Sequence, residues 1–416
     1  MHLALLTYGT RGDVQPFIAL AVRLQKEGHS VRLAAPEAYA SLAAEYGVPY
    51  TALAGDPAQF ARDLTDKVGG NLFKVIPVAR QFVMPLATQV IGAVRMACEG
   101  ADLILHSFLL TTGGHALARE LNVPDISVQF FPAFAPTGEF PAPGFPHLPF
   151  GKLYNRFSHH LLKQIYWYGG HVGYDTLKKQ SPAFPQKITW PFRASERRMT
   201  PRLYAFSPTL IPRPPDWGEG LYITGYWWLD RSPAWRPPHQ LLDFLEAGPP
   251  PVCISFGSMV SQDAERVYRV VLAALAKSGQ RGLILSEWEG WKALHVPPEV
   301  LVTGAVPHDW LLPHMAANIH HGGAGVTGAV LRAGPPSLVI PFGADQPFWA
   351  QRVAKLGVGP APIAYNRLTV ENLTAAIGQL LQNAEMRRCA AEIGQKIQAE
   401  DGLGNAMEII DQSRLW

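Results

Sequence analysis

The sequence predicts an α/β protein built from two doubly wound parallel-sheet domains in tandem. Three observations carry that expectation. Short apolar runs ended by glycine alternate with segments whose apolar residues recur at helical spacing, and such alternation implies parallel strands joined by crossover helices. The alternation breaks off in the middle of the chain and restarts near residue 250. The 416 residues suffice for two or three domains with substantial cores and no disulfide or metal staples.

Taken in order, "HLALLTYG" is the first strand, ended by Gly9, and "VQPFIALAVRLQKEGH" is a helix closing at Gly28. "SVRLAAP" is a strand, "EAYASLAAEYG" a helix, and "ADLILHS" and "DISVQFF" are further strands. After the restart, "PVCISFGS", "RGLILSE", "VLVTGAV", "NIHHGG" and "PSLVIPF" read as five strands, separated by segments such as "DAERVYRVVLAALAKSG". The Pro-rich ends of "RSPAWRPPHQLLDFLEAGPPP" mark a linker at 231–249 between domains at 1–230 and 250–400. Residues 131–215, rich in aromatics and proline, read as a variable insertion in the first domain, and 401–416 as a final helix returning to that domain. No short-period repeat interrupts this plan.

Composition excludes several classes. The chain is 48% hydrophobic and 17% charged, against roughly 25% charged in an average soluble domain, which excludes bulk disorder. No run reaches the roughly 18–20 apolar residues of a spanning helix. "MHLALLTYGTRGD" lacks the basic region, apolar core and cleavage site of a signal peptide. Cys98, Cys253 and Cys389 lie far apart, excluding a zinc ribbon or disulfide scaffold and pointing to a reducing cytoplasm. The net charge of +3 hides an asymmetry, because residues 151–215 hold 11 basic and 2 acidic residues. Such an excess suits an anionic surface or is a solvated basic face; no recognised motif supports nucleic acid.

The densest chemical signal is "NIHHGGAGVTGAVLRAGPPSLVIPFGADQPFWAQRV", where a strand ends at His320–His321, a glycine-rich turn follows and a helix begins. Glycines let the backbone approach an anion, and open amides at a helix start favour negative charge. The stretch is a phosphate cradle or a plain tight turn. Gly323, Gly325 and Gly328 also satisfy GxGxxG with Asp345 22 residues beyond Gly323, the pattern of a dinucleotide enzyme. A metal site from His308, His314, His320 and His321 is disfavoured, because adjacent His320 and His321 point to opposite faces of a strand. A second turn, "TYGTRGDVQP", places Thr10, Arg11 and Asp13 at the carboxyl end of the first strand, where open parallel sheets hold ligands. There Asp13 is either a general base or a helix cap. A third turn, "SFGSM", offers amides and the Ser258 hydroxyl.

"HHGGAG" followed by "LRAGPPSLVIPFGADQPFWA" resembles the nucleotide-sugar signature of the UDP-glycosyltransferase superfamily. "GTRGDVQPFIALA", "YAFSPTLIPRPPDWGEGLYITGYWWLD" and "VPHDWLLPHMAANIHHGG" narrow the resemblance to sterol 3β-glucosyltransferases. It covers most of the chain and is weakest between about 131 and 200. The resemblance implies the GT-B fold, two facing Rossmann-like domains with a cleft between them, acceptor held N-terminally and donor C-terminally. It implies that His321 and the amides of Gly323, Ala324, Gly325 and Val326 hold the diphosphate, with Val306 and His308 by the base and Ser258 near the nucleotide. Asp345 and Gln346 would read sugar hydroxyls, Thr10 and Arg11 would approach the donor, and Asp13 would be the catalytic base. Two departures stand out: Val326 replaces the family's usual Thr, with Thr327 a possible substitute, and Ala329 replaces the Glu that plant members use for the ribose.

The resulting expectation is an inverting, metal-independent glycosyltransferase with no cofactor, moving glucose from UDP-glucose to a hydroxyl of an apolar acceptor such as a sterol, hopanoid or polyketide. The charge on the leaving diphosphate would be met by amides and His321, and the chain has no DxD pair. Phe130, Phe131, Phe134, Tyr166, Trp167 and Tyr168 crowd the insertion as an apolar acceptor pocket requires, or as core aromatics do. The rivals are a nicotinamide oxidoreductase and a non-catalytic lipid or nucleotide-sugar binder. Finally, "KLYNRFSHHLLKQIYWYGG" places Leu153, Phe157, Leu161, Ile165 and Tyr168 on one helical face, with Lys152, Arg156, His159 and Lys163 beside or opposite it. That pattern suits peripheral contact with the surface of an anionic bilayer, or a helix packed on its own domain.

Overall fold

The computed structural model describes residues 1–68, 75–171, 174–188, 190–192, 200–257 and 263–412. The chain forms two compact units, Met1–Leu229 with Asp401–Trp416, and Asp230–Glu400.

The first unit runs β1 (His2–Leu6), α1 (Arg11–Lys26), β2 (Ser30–Pro36), α2 (Ala40–Glu45), β3 (Tyr50–Leu53), α3 (Pro57–Val68), α4 (Val75–Cys98), β4 (Leu103–Ser107) and α5 (Thr111–Leu121). It continues through β5 (Asp125–Gln129), α6 (Gly151–His171), α7 (Tyr174–Gln180), β6 (Arg202–Tyr204) and β7 (Leu221–Ile223). The sheet order is β3-β2-β1-β4-β5-β6-β7, with every pairing parallel. Leu3 stands opposite Val31 on one side and Leu103 on the other. Because helices cover both faces of such a sheet, its central strand reads as an unbroken apolar run, and Leu3, Ala4, Leu5 and Leu6 are all 0% exposed. β3, β6 and β7 are strands that sequence reading did not separate from their surroundings. β6 lies inside the expected insertion at 131–215, so the sheet itself runs into that segment.

The second unit runs α8 (His239–Glu246), β8 (Val252–Ser255), α9 (Ala264–Ser278), β9 (Gly282–Leu285), β10 (Val300–Thr303), α10 (His308–Leu311), β11 (Ala317–His320) and α11 (Ala324–Ala333). Then come β12 (Ser337–Val339), α12 (Gln346–Lys355), α13 (Val370–Gln382) and α14 (Ala384–Gln398). Its parallel order is β10-β9-β8-β11-β12. The segment expected as a linker, 231–249, is instead packed onto this unit. Arg231 Nη1 donates to Asp309 Oδ2 at 2.7 Å, and Leu241 is buried with Leu311 and Val330. Its prolines punctuate the ends, but Leu241, Phe244 and Leu245 between them make an amphipathic helix that must bury its apolar side.

The last helix, α15 (Gly402–Gln412), belongs to the first unit. Asn405 Nδ2 donates to the Thr224 carbonyl at 2.8 Å. At Gly402 a Cβ would overlap the Tyr226 carbonyl oxygen, so only glycine admits the approach.

Candidate functional site

In each sheet the strand order reverses once, between β1 and β4 in the first and between β8 and β11 in the second. Loops leaving the carboxyl ends of such neighbours are where open α/β sheets hold ligands. Both glycine-rich turns singled out in the sequence leave strands at these points.

In the second unit, β11 ends at His320 and the chain turns at Gly322, whose φ is +88°. A Cβ there would overlap Val339 Cγ1, so both conformation and space demand glycine. His320 Nδ1 accepts from the Gly322 N–H at 3.1 Å and braces the turn. Its ring is 1% exposed, and burial pushes its pKa down to about 3. Gly323 caps α11, and the Thr327 N–H donates to the Gly323 carbonyl at 2.9 Å as the first turn of the helix closes. The amides of Ala324, Gly325 and Val326 therefore lie in the part of the helix that has no intrahelical acceptors, where the macrodipole is positive.

His321 completes this cradle. A Cβ on Gly323 would lie 2.7 Å from its Nε2, and one on Gly257 would lie 3.5 Å from its Cε1. The imidazole is thus held between the two glycine turns that leave β11 and β8. Its Nδ1 is buried near the Ser255 backbone without a hydrogen bond of ordinary geometry. Burial pushes its pKa down to about 4, so the ring is neutral near pH 7. The nearby His308, which opens α10, adds to the depression at both His320 and His321.

The other expected donor contacts are placed differently. Val306 is 7% exposed and packs with Leu301 and Leu311, leaving only its backbone for a base. Thr327 is 0% exposed, and its hydroxyl finds no hydrogen-bond partner among the described residues. Val326 itself is half-buried, leaning on the Leu241 cluster. Asp345 Oδ2 accepts from the Trp349 indole at 2.8 Å, and burial raises its pKa to about 6. Gln346 is 4% exposed, and its carbonyl accepts from the Phe342 and Gly343 amides at 2.7 and 3.2 Å. That oxygen holds the turn before α12. Ser258 lies outside the described residues.

In the first unit, the Thr10 N–H donates to Asp13 Oδ2 at 2.8 Å and the Thr10 hydroxyl donates to the same oxygen at 3.3 Å. The Thr7 hydroxyl donates to the Asp13 carbonyl at 3.1 Å. The helix starts at Arg11 with Thr10 as its N-cap, so Asp13 does not precede the helix as an N-cap would; it sits in the first turn and closes a capping box on Thr10, half-exposed at the sheet's switch point. A Cβ on Gly9 would overlap its carboxylate, so Gly9 is what permits this placement. Arg11 is exposed, its Nε donating to Gln15 Oε1 at 3.0 Å. Tyr39 is a neighbour the sequence did not reveal. Its phenol is raised by burial and then by the charges of Asp13 and Asp56.

The expected acceptor aromatics do not form one pocket wall. Phe130 is 6% exposed, edge-on to Phe17 at 6.0 Å. Phe134 is 0% exposed and stacked on Phe108 at 5.0 Å. Both are core residues, since an aromatic ring serves a core and a pocket equally well. Phe131 is half-buried beside Phe108 at 4.9 Å, Trp167 lies against Trp190 at 5.0 Å, and Tyr168 is exposed. Sequence reading missed a polar group at the carboxyl ends of β4 and β5. Ser107 Oγ, Thr112 Oγ1 and Gln129 Oε1 are buried there with no protein partner among the described residues.

Helix α6 buries two of the four basic or histidine residues read beside its apolar stripe and pairs a third. His159 is 0% exposed with Nε2 3.1 Å from the Phe140 carbonyl, Lys163 is 9% exposed, and Arg156 pairs with Asp216 at 3.0 Å. The apolar side chains of Leu153 and Phe157 face outward instead. Periodicity defines two faces of a helix but not which one the fold covers.

Among the described residues no helix is long and apolar enough to cross a membrane. Residues 3–135 match the glycosyltransferase family 28 N-terminal domain, and residues 271–409 match the erythromycin biosynthesis protein CIII-like C-terminal domain. Over 98% of its length the chain is 33% identical to the sterol 3-beta-glucosyltransferase UGT80A2 of Arabidopsis thaliana, of which it spans 65%. Over 99% it is 34% identical to the O-mycaminosyltylonolide 6-deoxyallosyltransferase of Streptomyces fradiae, spanning 97% of that protein. Among solved structures, the glycotransferase of kitacinnamycin superposes with a TM-score of 0.73 at 19% identity, covering 99% of this chain and 98% of that one. Glycosyltransferase VinC in complex with DTDP superposes with a TM-score of 0.68 at 18% identity over the whole of both chains. These likenesses replace the dinucleotide reading of Gly323, Gly325 and Gly328. With its two Rossmann-like parallel sheets in the GT-B fold, the chain belongs to the UDP-glycosyltransferase family.

Proposed function

We propose that this chain is an inverting, metal-independent glycosyltransferase that moves glucose from UDP-glucose to a hydroxyl of an apolar acceptor. The observation that carries the reading is the start of α11, where three amides without intrahelical acceptors lie beside a neutral, glycine-flanked His321, a set of donors that suits a diphosphate. The sterol and O-mycaminosyltylonolide transferases supply the acceptor class by name, and the DTDP held by VinC supports a nucleoside diphosphate donor.

In this reading the acceptor oxygen attacks the anomeric carbon as its bond to the diphosphate breaks. The hydroxyl proton passes to Asp13, and the electron pair leaves with the diphosphate. Fixed amides and the His321 N–H meet that charge without reorganising, which is the main physical source of acceleration. Thr10 holds the Asp13 carboxylate in one orientation, so the acceptor hydroxyl meets a positioned base. In this reading Phe131 and Trp167, both half-buried, would meet the apolar acceptor, and Ser107, Thr112 and Gln129 would serve its polar groups. Asp345 and the Gln346 NH2 group would read the sugar.

The test is a panel of nucleotide sugars with sterol and polyketide acceptors, followed by the anomeric configuration of the product. A β-linked glucoside formed from UDP-glucose with added chelator supports every part of the proposal. Tight NADH binding without UDP binding would overturn it.

A further inference from the structure

At the carboxyl edge of the second sheet, several acids are already held by partners. Asp263 faces Arg266 at 3.4 Å, Asp309 accepts from the Arg231 guanidinium at 2.7 Å, and Asp345 accepts from the Trp349 indole at 2.8 Å. Glu287 is different. It stands two residues past the end of β9, is exposed, and has no hydrogen bond or ion pair among the described residues.

The turn that carries it is pinned on both sides. The Ser286 N–H donates to the Thr303 carbonyl at 2.9 Å, continuing the β9–β10 pairing by one bond. Ser286 Oγ accepts from the Trp288 amide at 3.2 Å and the Trp291 indole at 3.0 Å, and meets the Tyr268 hydroxyl at 2.9 Å. Both tryptophans pack with the buried Tyr268. From this fixed base the carboxylate reaches across the exit of β10, where a Cβ on Gly304 would lie 3.9 Å from Glu287 Oε1.

Sheet order relates this carboxylate to the donor site. The glycine turns at Gly257 and Gly322 leave β8 and β11, which are neighbours, and β9 flanks β8 on the side away from β11. Strands lie about 4.8 Å apart, so the exit of β9 stands about 5 Å from that of β8 and about 10 Å from that of β11. A ribose joined to a diphosphate at those turns falls within that interval. In doubly wound nucleotide-binding sheets, an acid that follows the glycine turn in the chain accepts from the ribose hydroxyl.

We propose that Glu287 accepts hydrogen bonds from the 2′- and 3′-hydroxyls of the donor's ribose and so selects a ribonucleoside diphosphate over its 2′-deoxy counterpart. The proposal rests on the nucleotide-sugar reading above and deepens it. A vicinal diol offers two O–H donors to the two oxygens of one carboxylate, whereas a 2′-deoxyribose offers one.

Calorimetry of the full chain with UDP and with 2′-deoxy-UDP tests it. Wild type binds UDP at least about tenfold more tightly, the difference expected for one bond to a charged acceptor. Glu287→Ala weakens UDP and brings the two ligands within about twofold of each other. Glu289→Ala, at an exposed acid two residues along, keeps the wild-type preference. Wild type that binds both ligands equally overturns the proposal and leaves the nucleotide-sugar reading standing, as does a Glu287→Ala variant that keeps the full preference. Tighter binding of both ligands by Glu287→Ala also overturns it, since the carboxylate would then act only by repelling the diphosphate. Wild type that binds neither ligand overturns the nucleotide-sugar reading and this proposal with it.

Discussion

Gly323→Ala tests the proposed contact between His321 and a donor diphosphate. Gly323 has φ −62° and ψ 151°, which alanine adopts freely, so the backbone is not strained. The new Cβ would lie 2.7 Å from His321 Nε2. Ordinary contact begins near 3.4 Å, so the imidazole must retreat by about 0.7 Å. A hydrogen bond to a charged group contributes about 1.5–3 kcal/mol, and its loss weakens UDP binding roughly 10- to 150-fold. Calorimetry with UDP and with uridine separates the effects, because uridine lacks the diphosphate and keeps its affinity. Stability should change by less than about 1 kcal/mol. Gly322→Ala is the contrast: its left-handed φ and overlap with Val339 predict a loss of about 1–3 kcal/mol in stability. Unchanged UDP affinity in Gly323→Ala, or equal losses for UDP and uridine, would refute the placement of His321 at the phosphates.

Three further outcomes are expected. Val326→Thr puts a hydroxyl on the first turn of α11 at nearly constant volume and tightens UDP by up to about tenfold, or about 1.4 kcal/mol, in the same calorimetry. Burial holds His320 neutral down to about pH 3 and His159 and His321 down to about pH 4, whereas an unfolded histidine takes its proton near pH 6.5. Stability is therefore full above about pH 6.5 and falls as pH drops toward 4, by about 1.4 kcal/mol per pH unit for each such group; His320→Gln makes the fall in thermal midpoint shallower. Ala344 sits at φ +55° on the exposed turn before α12, so Ala344→Gly raises stability by up to about 1 kcal/mol in a denaturant titration.

Much of this was legible in the sequence because buried parallel strands and glycine turns leave local marks. β1, β8 and β11 are apolar runs that stop at glycine turns, Gly322 is demanded by its left-handed backbone, and Gly323 by the room that the His321 ring takes. β6 and β7 are three residues long, too short to show a period. The roles of Phe130 and Phe134 were not legible, since composition cannot separate a pocket wall from a core. The orientation of α6 was not legible either, because which stripe faces water depends on what bonds Ser158 and His159 find across the fold. Tyr39 approaches Asp13 only through the sheet, and Gln346 announces nothing of the two amides it holds. For Asp13 the sequence allows a base or a cap, and the bonds from Thr10 to its carboxylate, which fix its orientation, follow only from where the first turn of α1 begins.

Turnover of Asp13→Asn, measured beside its affinity for UDP, tests the central claim most directly. Asparagine keeps the shape of the side chain and an oxygen for the Thr10 N–H, but it does not take a proton at neutral pH. Transfer of glucose from UDP-glucose to a sterol acceptor should fall by at least about a hundredfold, as losses of a general base do. UDP affinity should remain within about twofold of wild type, because the cradle on α11 is untouched. Near-normal turnover in the variant would contradict the account and remove Asp13 from the chemistry.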